Sequence, residues 1–168
     1  MLFAIAAVAV LGLAADAPPM NHAECPMAGA HHGQAGVDAR HDQAVGVGHE
    51  GLVHHFLLAR DGGTIRLELK DDLKEAGNDA RDGVRRHLQE IARAFAAGDF
   101  GVPTEIHAQV PPGVPVMKEK KGAIRYAYSP TAKGGQVRIS TSDARAREAV
   151  HAFLRFQIGD HGTGDPTE

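Results

Sequence analysis

The sequence predicts an α+β domain: duplicated ββα units forming an antiparallel sheet with two helices on one face. Three observations carry this. Alternating apolar residues flank two Gly-Gly dipeptides, which reads as two hairpins. Two further stretches place apolar residues at helical spacing. The second half also repeats the first: setting Gly62-Gly63 on Gly134-Gly135 aligns Phe56 with Tyr128, Ile65 with Val137, Arg66 with Arg138 and Leu67 with Ile139. Two such units give one sheet layer with helices on a single face.

Taken in chain order, the first element is a leader. Residues 2–15 are almost wholly apolar, long enough for a signal-peptide core and too short for a comfortable membrane span. Gly12-Leu13-Ala14 offers a small-x-small cleavage site before Ala15, and Ala15-Asp16-Ala17 is a second candidate. The leader is atypical in having no Lys or Arg ahead of its apolar run. No Leu-x-x-Cys pattern precedes Cys25, which argues against a lipid anchor. The expectation is a signal peptide over 1–15 and a soluble, periplasmic or secreted product.

Residues 16–50 are rich in Gly, Ala, His and Asp and read as a flexible tail, because they have too little apolar surface to offset ordering entropy. The α+β domain is expected over 51–168. Its first strand runs from Leu52 to Arg60 and its second from Thr64 to Lys70, across Asp61-Gly62-Gly63. A two-residue Gly62-Gly63 turn sets Leu58 against Leu67 and Phe56 against Leu69, with His54 on the core side and His55 outside. A helix follows, capped by Asn78 or Asp79, with the stripe Val84, Leu88, Ile91, Phe95, and ended by Gly98-Asp99. Thr104 to Val110 reads as a short strand and Pro111-Pro112-Gly113-Val114-Pro115 as an extended loop. Ala123 to Ser129 and Gln136 to Thr141 make the second hairpin across Lys133-Gly134-Gly135. Asp143 caps a last helix with apolar positions Val150, Phe153, Leu154 and Ile158.

Composition narrows the function classes. The chain has 168 residues and a net charge of −3, so it carries no basic footprint for nucleic acid. No segment after the leader is apolar enough for stable membrane insertion. Its single cysteine excludes an internal disulfide. In an oxidising compartment that thiol is best explained by metal binding or by pairing with a second chain, in a homo-oligomer or with a protein partner.

The densest chemistry lies in the tail. Met20, His22, Cys25, Met27, His31 and His32 gather thioether, thiol and imidazole donors, with no Lys or Arg among them. Soft sulfur with imidazole suits copper as Cu(I), and zinc less selectively. The alternative is a histidine-biased linker that binds nothing tightly. In the domain, Asp79-Ala80-Arg81 leads to His87 at the spacing by which Asp143-Ala144-Arg145 leads to His151. Equivalent helices would bring these imidazoles together, with His54 or His55 from the first strand, as a second metal site. Each histidine taken alone is better explained by a satisfied structural role. His107 and His161 complete the domain's set. No nucleophile elbow, metalloprotease helix, phosphate loop or dinucleotide fingerprint occurs.

Four stretches carry a resemblance: GVDAR at Gly36 to Arg40, HHFLLARDGGTI, PPGVPVMK and HAFLRFQIGDHGTGD. Over roughly residues 36–166 the chain resembles a family of small exported bacterial proteins of unassigned function. Members often have Met-Gly-Phe ahead of the double histidine, where this chain has Val45-Gly46-Val47. The label aspartate carbamoyltransferase occurs in that family. Those enzymes are about twice this length and use a Ser-Thr-Arg-Thr phosphate loop, whereas the nearest match here, Ser140-Thr141-Ser142-Asp143, has no arginine in place. The resemblance implies export and the fold, and no activity. The leading expectation is an exported metal-binding protein that handles copper through its tail. The alternatives are a ligand- or protein-binding module with a linker tail, then a small enzyme.

Overall fold

The computed structural model describes residues 36, 37, 39, 40, 42, 48–71 and 77–168. Within them the chain is an α+β domain. Strands β1 (Leu52–Ala59) and β2 (Gly62–Leu69) are followed by helices α1 (Gly77–Ala97), α2 (Gly101–His107) and α3 (Val114–Glu119), then β3 (Ile124–Pro130), β4 (Gly134–Thr141) and α4 (Ala144–Asp160). The strands form one antiparallel sheet in the order β1-β2-β4-β3.

Alternation determines which face each strand residue takes. Phe56, Leu67, Val137 and Ile139 are buried on one face, beneath α1 and α4. The opposite face carries a polar row in which Arg66 donates to Gln136 Oε1 and Gln136 donates to Ser129 Oγ. The two hairpins share one register: Phe56 opposes Ile65 as Tyr128 opposes Val137. The central pairing is symmetric about Ile65 and Val137, with Gly63 opposite Ile139 and Leu67 opposite Gly135.

Both turns lie earlier than the glycines predicted. Ala59 pairs with Gly62, so Arg60 and Asp61 form the first turn and both glycines belong to β2. Likewise Gly134-Gly135 opens β4. In the first hairpin the displacement is even, so its side chains keep their predicted faces: His54 is on the core side and His55 outside. The glycines are needed for close packing. A Cβ at Gly63 would sit 2.2 Å from Leu154 Cδ1 and 2.5 Å from Leu57 O, and one at Gly135 2.8 Å from Tyr128 Cε2 and 3.2 Å from Leu88 Cδ1. Each dipeptide thus thins the sheet where a helical leucine descends on it.

The long helices follow their stripes. Val84, Leu88, Ile91 and Phe95 of α1 are buried, as are Val150, Phe153, Leu154 and Ile158 of α4. Helix α1 ends where predicted. Gly98 adopts φ 82°, Gly98 N–H donates to Phe95 O, and Asp99 N–H donates to Ala94 O, a Schellman closure. Asp143 caps α4 by accepting from Ala146 N–H at 2.9 Å. Helix α1 packs chiefly on β3 and β4, and α4 on β1 and β2.

Two segments between the halves differ from expectation. Thr104 to Val110 is not a strand, because its first residues belong to α2. Pro103, Ile106 and His107 bury one side of that short helix, Thr104 Oγ1 donates to Phe100 O, and Ala108 stops it at φ 51°. The proline-rich loop is a turn leading into α3, with Pro115 in the first turn, where its missing N–H has no helical partner to lose. Gly113 starts α3 at φ 84°, and a Cβ there would lie 2.0 Å from Ala149 O, so only glycine lets this turn lie against α4. Packing also reaches upstream of residue 51. Gly36, Val37, Ala39, Arg40 and Asp42 are helical, and Val37 is buried.

Candidate ligand cavity

Between the sheet, α1, α2 and the end of α4 lies a cavity of about 60 Å³. Phe56, Leu67, Leu88, Phe95 and Phe153 supply much of its apolar wall, and four histidines line it: His54, His87, His107 and His161. These imidazoles come from four places in the chain. His54 is the core-side residue of β1, His87 lies on the inner flank of α1, His107 ends α2, and His161 follows α4.

The histidines are held by defined contacts. His161 stacks on His54 with ring centroids 5.2 Å apart and lies 5.4 Å from the Phe56 ring. His107 meets His161 edge to face at 5.1 Å and Phe156 at 5.0 Å. His107 is only 2 % exposed. Its Nδ1 lies 2.5 Å from Asp160 Oδ2 and its Nε2 2.9 Å from Gln157 Oε1. Gln157 is 4 % exposed and lines the cavity, and the nitrogen of its amide has no hydrogen-bond partner among the described residues. Burial holds the His87 imidazole below its ordinary pKa, against the opposing charge of Glu90, so desolvation favours the neutral ring.

The apolar wall is broken by imidazoles and one amide, with no lysine or arginine on it among the described residues. Such a surface suits a small uncharged molecule with one or two hydrogen-bonding atoms. A wider cleft of about 510 Å³ adjoins it and shares His87, Ile91, Val102 and Ile106 as a common wall. Arg40, Glu90 and Glu105 make that outer cleft charged.

The predicted site residues divide into three groups. His54 and His87 meet in the cavity. His151 does not join them: its Nε2 lies 2.9 Å from both Ala59 O and Gly62 O, where it clasps the first hairpin. His55 lies on the outer face, its Nδ1 2.8 Å from Asp165 Oδ1, while Asp165 Oδ2 accepts from Phe56 N–H on the free edge of β1. The expected pairing of His87 with His151 therefore does not form, because the clasped hairpin carbonyls hold His151 at the turn. Among the described residues, no three His, Cys, Asp or Glu side chains converge on a point that could hold a metal ion. Met20, His22, Cys25, Met27, His31 and His32 lie outside the described residues.

Sequence reasoning missed Gln157 and Asp160. The available signal was Gln157 itself, a polar residue on the apolar stripe formed by Phe153, Leu154 and Ile158. No helix among the described residues is long and apolar enough to cross a membrane. No family model, curated protein or solved structure matches this chain.

Proposed function

We propose that the domain is a binding module for a small, mostly apolar, uncharged molecule, exported to the periplasm or beyond. The observation that carries this is the cavity, whose apolar wall is broken by four imidazoles and by Gln157, a residue whose amide nitrogen is buried without a hydrogen-bond partner among the described residues. A buried polar group is costly unless it is hydrogen-bonded, and a ligand atom meets that need. The space fits roughly four to six heavy atoms, taking about 10–15 Å³ for each water-sized group. Larger ligands extend into the adjoining cleft. The test is a titration of the full chain with five- and six-membered ring probes, followed by side-chain methyl shifts. Shifts confined to Leu67, Leu88, Ile91 and Ile106 support the reading. Scattered or absent shifts refute it.

A second reading rests on the soft donors of the tail. Met20, His22, Cys25, Met27, His31 and His32 supply a ligand set that favours Cu(I). On this reading the tail captures copper, and the cavity serves the domain's separate role. Cysteine-to-serine replacement at Cys25, with leucine at Met20 and Met27, should weaken Cu(I) binding far more than Zn(II) binding in a chelator competition. Unchanged Cu(I) affinity removes the proposal.

A further inference from the structure

We infer that the outer edge of β3 is a docking strip, to which an extended acidic segment of another protein adds as a fifth strand. The strip is separate from the cavity and needs no ligand there.

The phase of the hydrogen bonds decides which backbone groups are free. Along an antiparallel edge strand, alternate residues bond inward and the others point away. Thr131 N–H donates to Gly134 O at the turn, so the inward set runs from Thr131 through Ser129, Ala127 and Arg125. The other strand agrees: Thr141, opposite Ile124, turns its N–H away from β3 and donates to Asp61 O. Tyr126 and Tyr128 therefore point N–H and C=O outward. Among the described residues nothing accepts from either N–H. The strip is bounded at both ends, since Lys121 O takes the Ile124 N–H and Pro130 has none to offer.

The opposite edge of the sheet is already covered. Tyr128 holds the register position in the second hairpin that Phe56 holds in the first. Phe56 N–H also points outward, and Asp165 Oδ2 accepts from it at 2.8 Å. One edge thus has its outward donor met by a carboxylate from its own chain, and the equivalent donor on β3 is left for a partner.

The surroundings of β3 define the chemistry of that partner. Beside the two tyrosines lies a groove of about 330 Å³ against α1, lined also by Gln89, Ala92, Arg93 and Ala96. In an added strand, the residues opposite Tyr126 and Tyr128 send their side chains to this face, where rings and alanines receive apolar groups. The residues between them face outward beside Arg125. Arg93 and Arg125 are both exposed, and among the described residues neither is in an ion pair. No acidic residue lines the groove among the described residues. This positive rim stands against the chain's net charge of −3. It repels the same rim of a second copy, which disfavours edge-to-edge pairing, and it attracts an acidic strand. Backbone pairing supplies affinity, and alternate side chains supply selectivity. The partner segment therefore alternates acidic and apolar residues.

The experiment titrates the isotope-labelled full chain with the blocked peptide Glu-Val-Glu-Val-Glu at low salt. Before addition, the amides of Tyr126 and Tyr128 should exchange faster than those of Arg125 and Ala127. On binding, both tyrosine amides should shift and their exchange should slow. Methylating the two valine nitrogens, which face β3, should abolish binding, whereas methylating the central glutamate nitrogen, which faces away, should not. Arg93→Glu combined with Arg125→Glu should weaken the peptide roughly tenfold and admit Lys-Val-Lys-Val-Lys instead. Both arginines are exposed, and the circular dichroism of that variant should match the parent. Equal binding of the two peptides, shifts away from β3, or no shifts at all overturns the inference. So does concentration-dependent protection of Tyr126 and Tyr128 without peptide, which would assign the edge to a second copy. The ring probes for the cavity report on Leu67, Leu88, Ile91 and Ile106, so neither result stands in for the other.

Discussion

Replacing Gly135 by alanine tests whether the strand glycines are sockets for the helical leucines. The new Cβ would stand 2.8 Å from Tyr128 Cε2 and 3.2 Å from Leu88 Cδ1, both ends of side chains. Overpacking of this kind costs about 1–3 kcal/mol, and the lost freedom of the unfolded glycine returns about 0.4–1 kcal/mol. The expected net loss is about 1–2 kcal/mol. Leu88 is 2 % exposed, so Leu88→Ala should cost about 2–5 kcal/mol alone. In the double variant the alanine methyl at 135 enters space vacated by Leu88, and the sum should fall short of additivity by about 1 kcal/mol. Gly63 supplies the contrast. Its Cβ would lie 2.2 Å from Leu154 Cδ1 but also 2.5 Å from Leu57 O, a backbone atom that cannot swing aside. Leu154→Ala should therefore fail to rescue Gly63→Ala. The assay is urea unfolding of the four single and two double variants, read by circular dichroism. Additivity within about 0.3–0.5 kcal/mol at Gly135 and Leu88 would refute the socket argument.

Three further outcomes follow from particular contacts. His151→Phe keeps the bulk on α4 but removes the group that clasps Ala59 O and Gly62 O, and it should cost about 0.5–1.5 kcal/mol, with faster amide exchange confined to the first hairpin; uniform acceleration across the sheet would disprove the local role. Burial raises the Asp165 carboxyl, but the Phe56 N–H, His55 and Thr163 outweigh it and hold its pKa below the ordinary value of 3.8. The stability this provides is present above that value and is lost as pH falls through the lowered one, so Asp165→Asn should lessen the acid sensitivity of unfolding and free the β1 edge to exchange. N-terminal sequencing of the exported form should begin near Ala15 or Asp16, and an uncleaved chain retained in the cytoplasm would contradict export.

The sequence carried the long elements because their signals are repeated many times over. Eight or more residues of alternation determine a strand's faces even when the turn is misplaced, as β1 shows: its partner slid along β2, yet His54 and His55 kept their sides. The stripe through Val84, Leu88, Ile91 and Phe95 likewise spans several turns. Helices α2 and α3 have seven and six residues, too few for either period to be distinguished, and Pro103 and Pro115 imitate loop signals while occupying first turns. The cavity was only half visible. His54 and His87 lie on stripes that point inward, but His107, Gln157 and Asp160 meet only because α2 docks on the end of α4. That contact joins residues about fifty positions apart, and no local pattern records it.

The placement of the long helices has a consequence for how the domain can be assembled. Because α1 covers the hairpin of the second half and α4 the hairpin of the first, neither half of the chain encloses its own apolar surface. A fragment ending near residue 110 would hold β1, β2 and α1 with much of the helix stripe bare. Its complement would be equally incomplete. Such pieces should be poorly soluble apart and should recover the native spectrum when mixed, as two strands of a clasp do. The same interlock delays the arrival of decisive contacts until nearly the whole chain has emerged, since loop closure across both halves must precede burial. A protein built this way is committed late, when its last helix closes over the first hairpin.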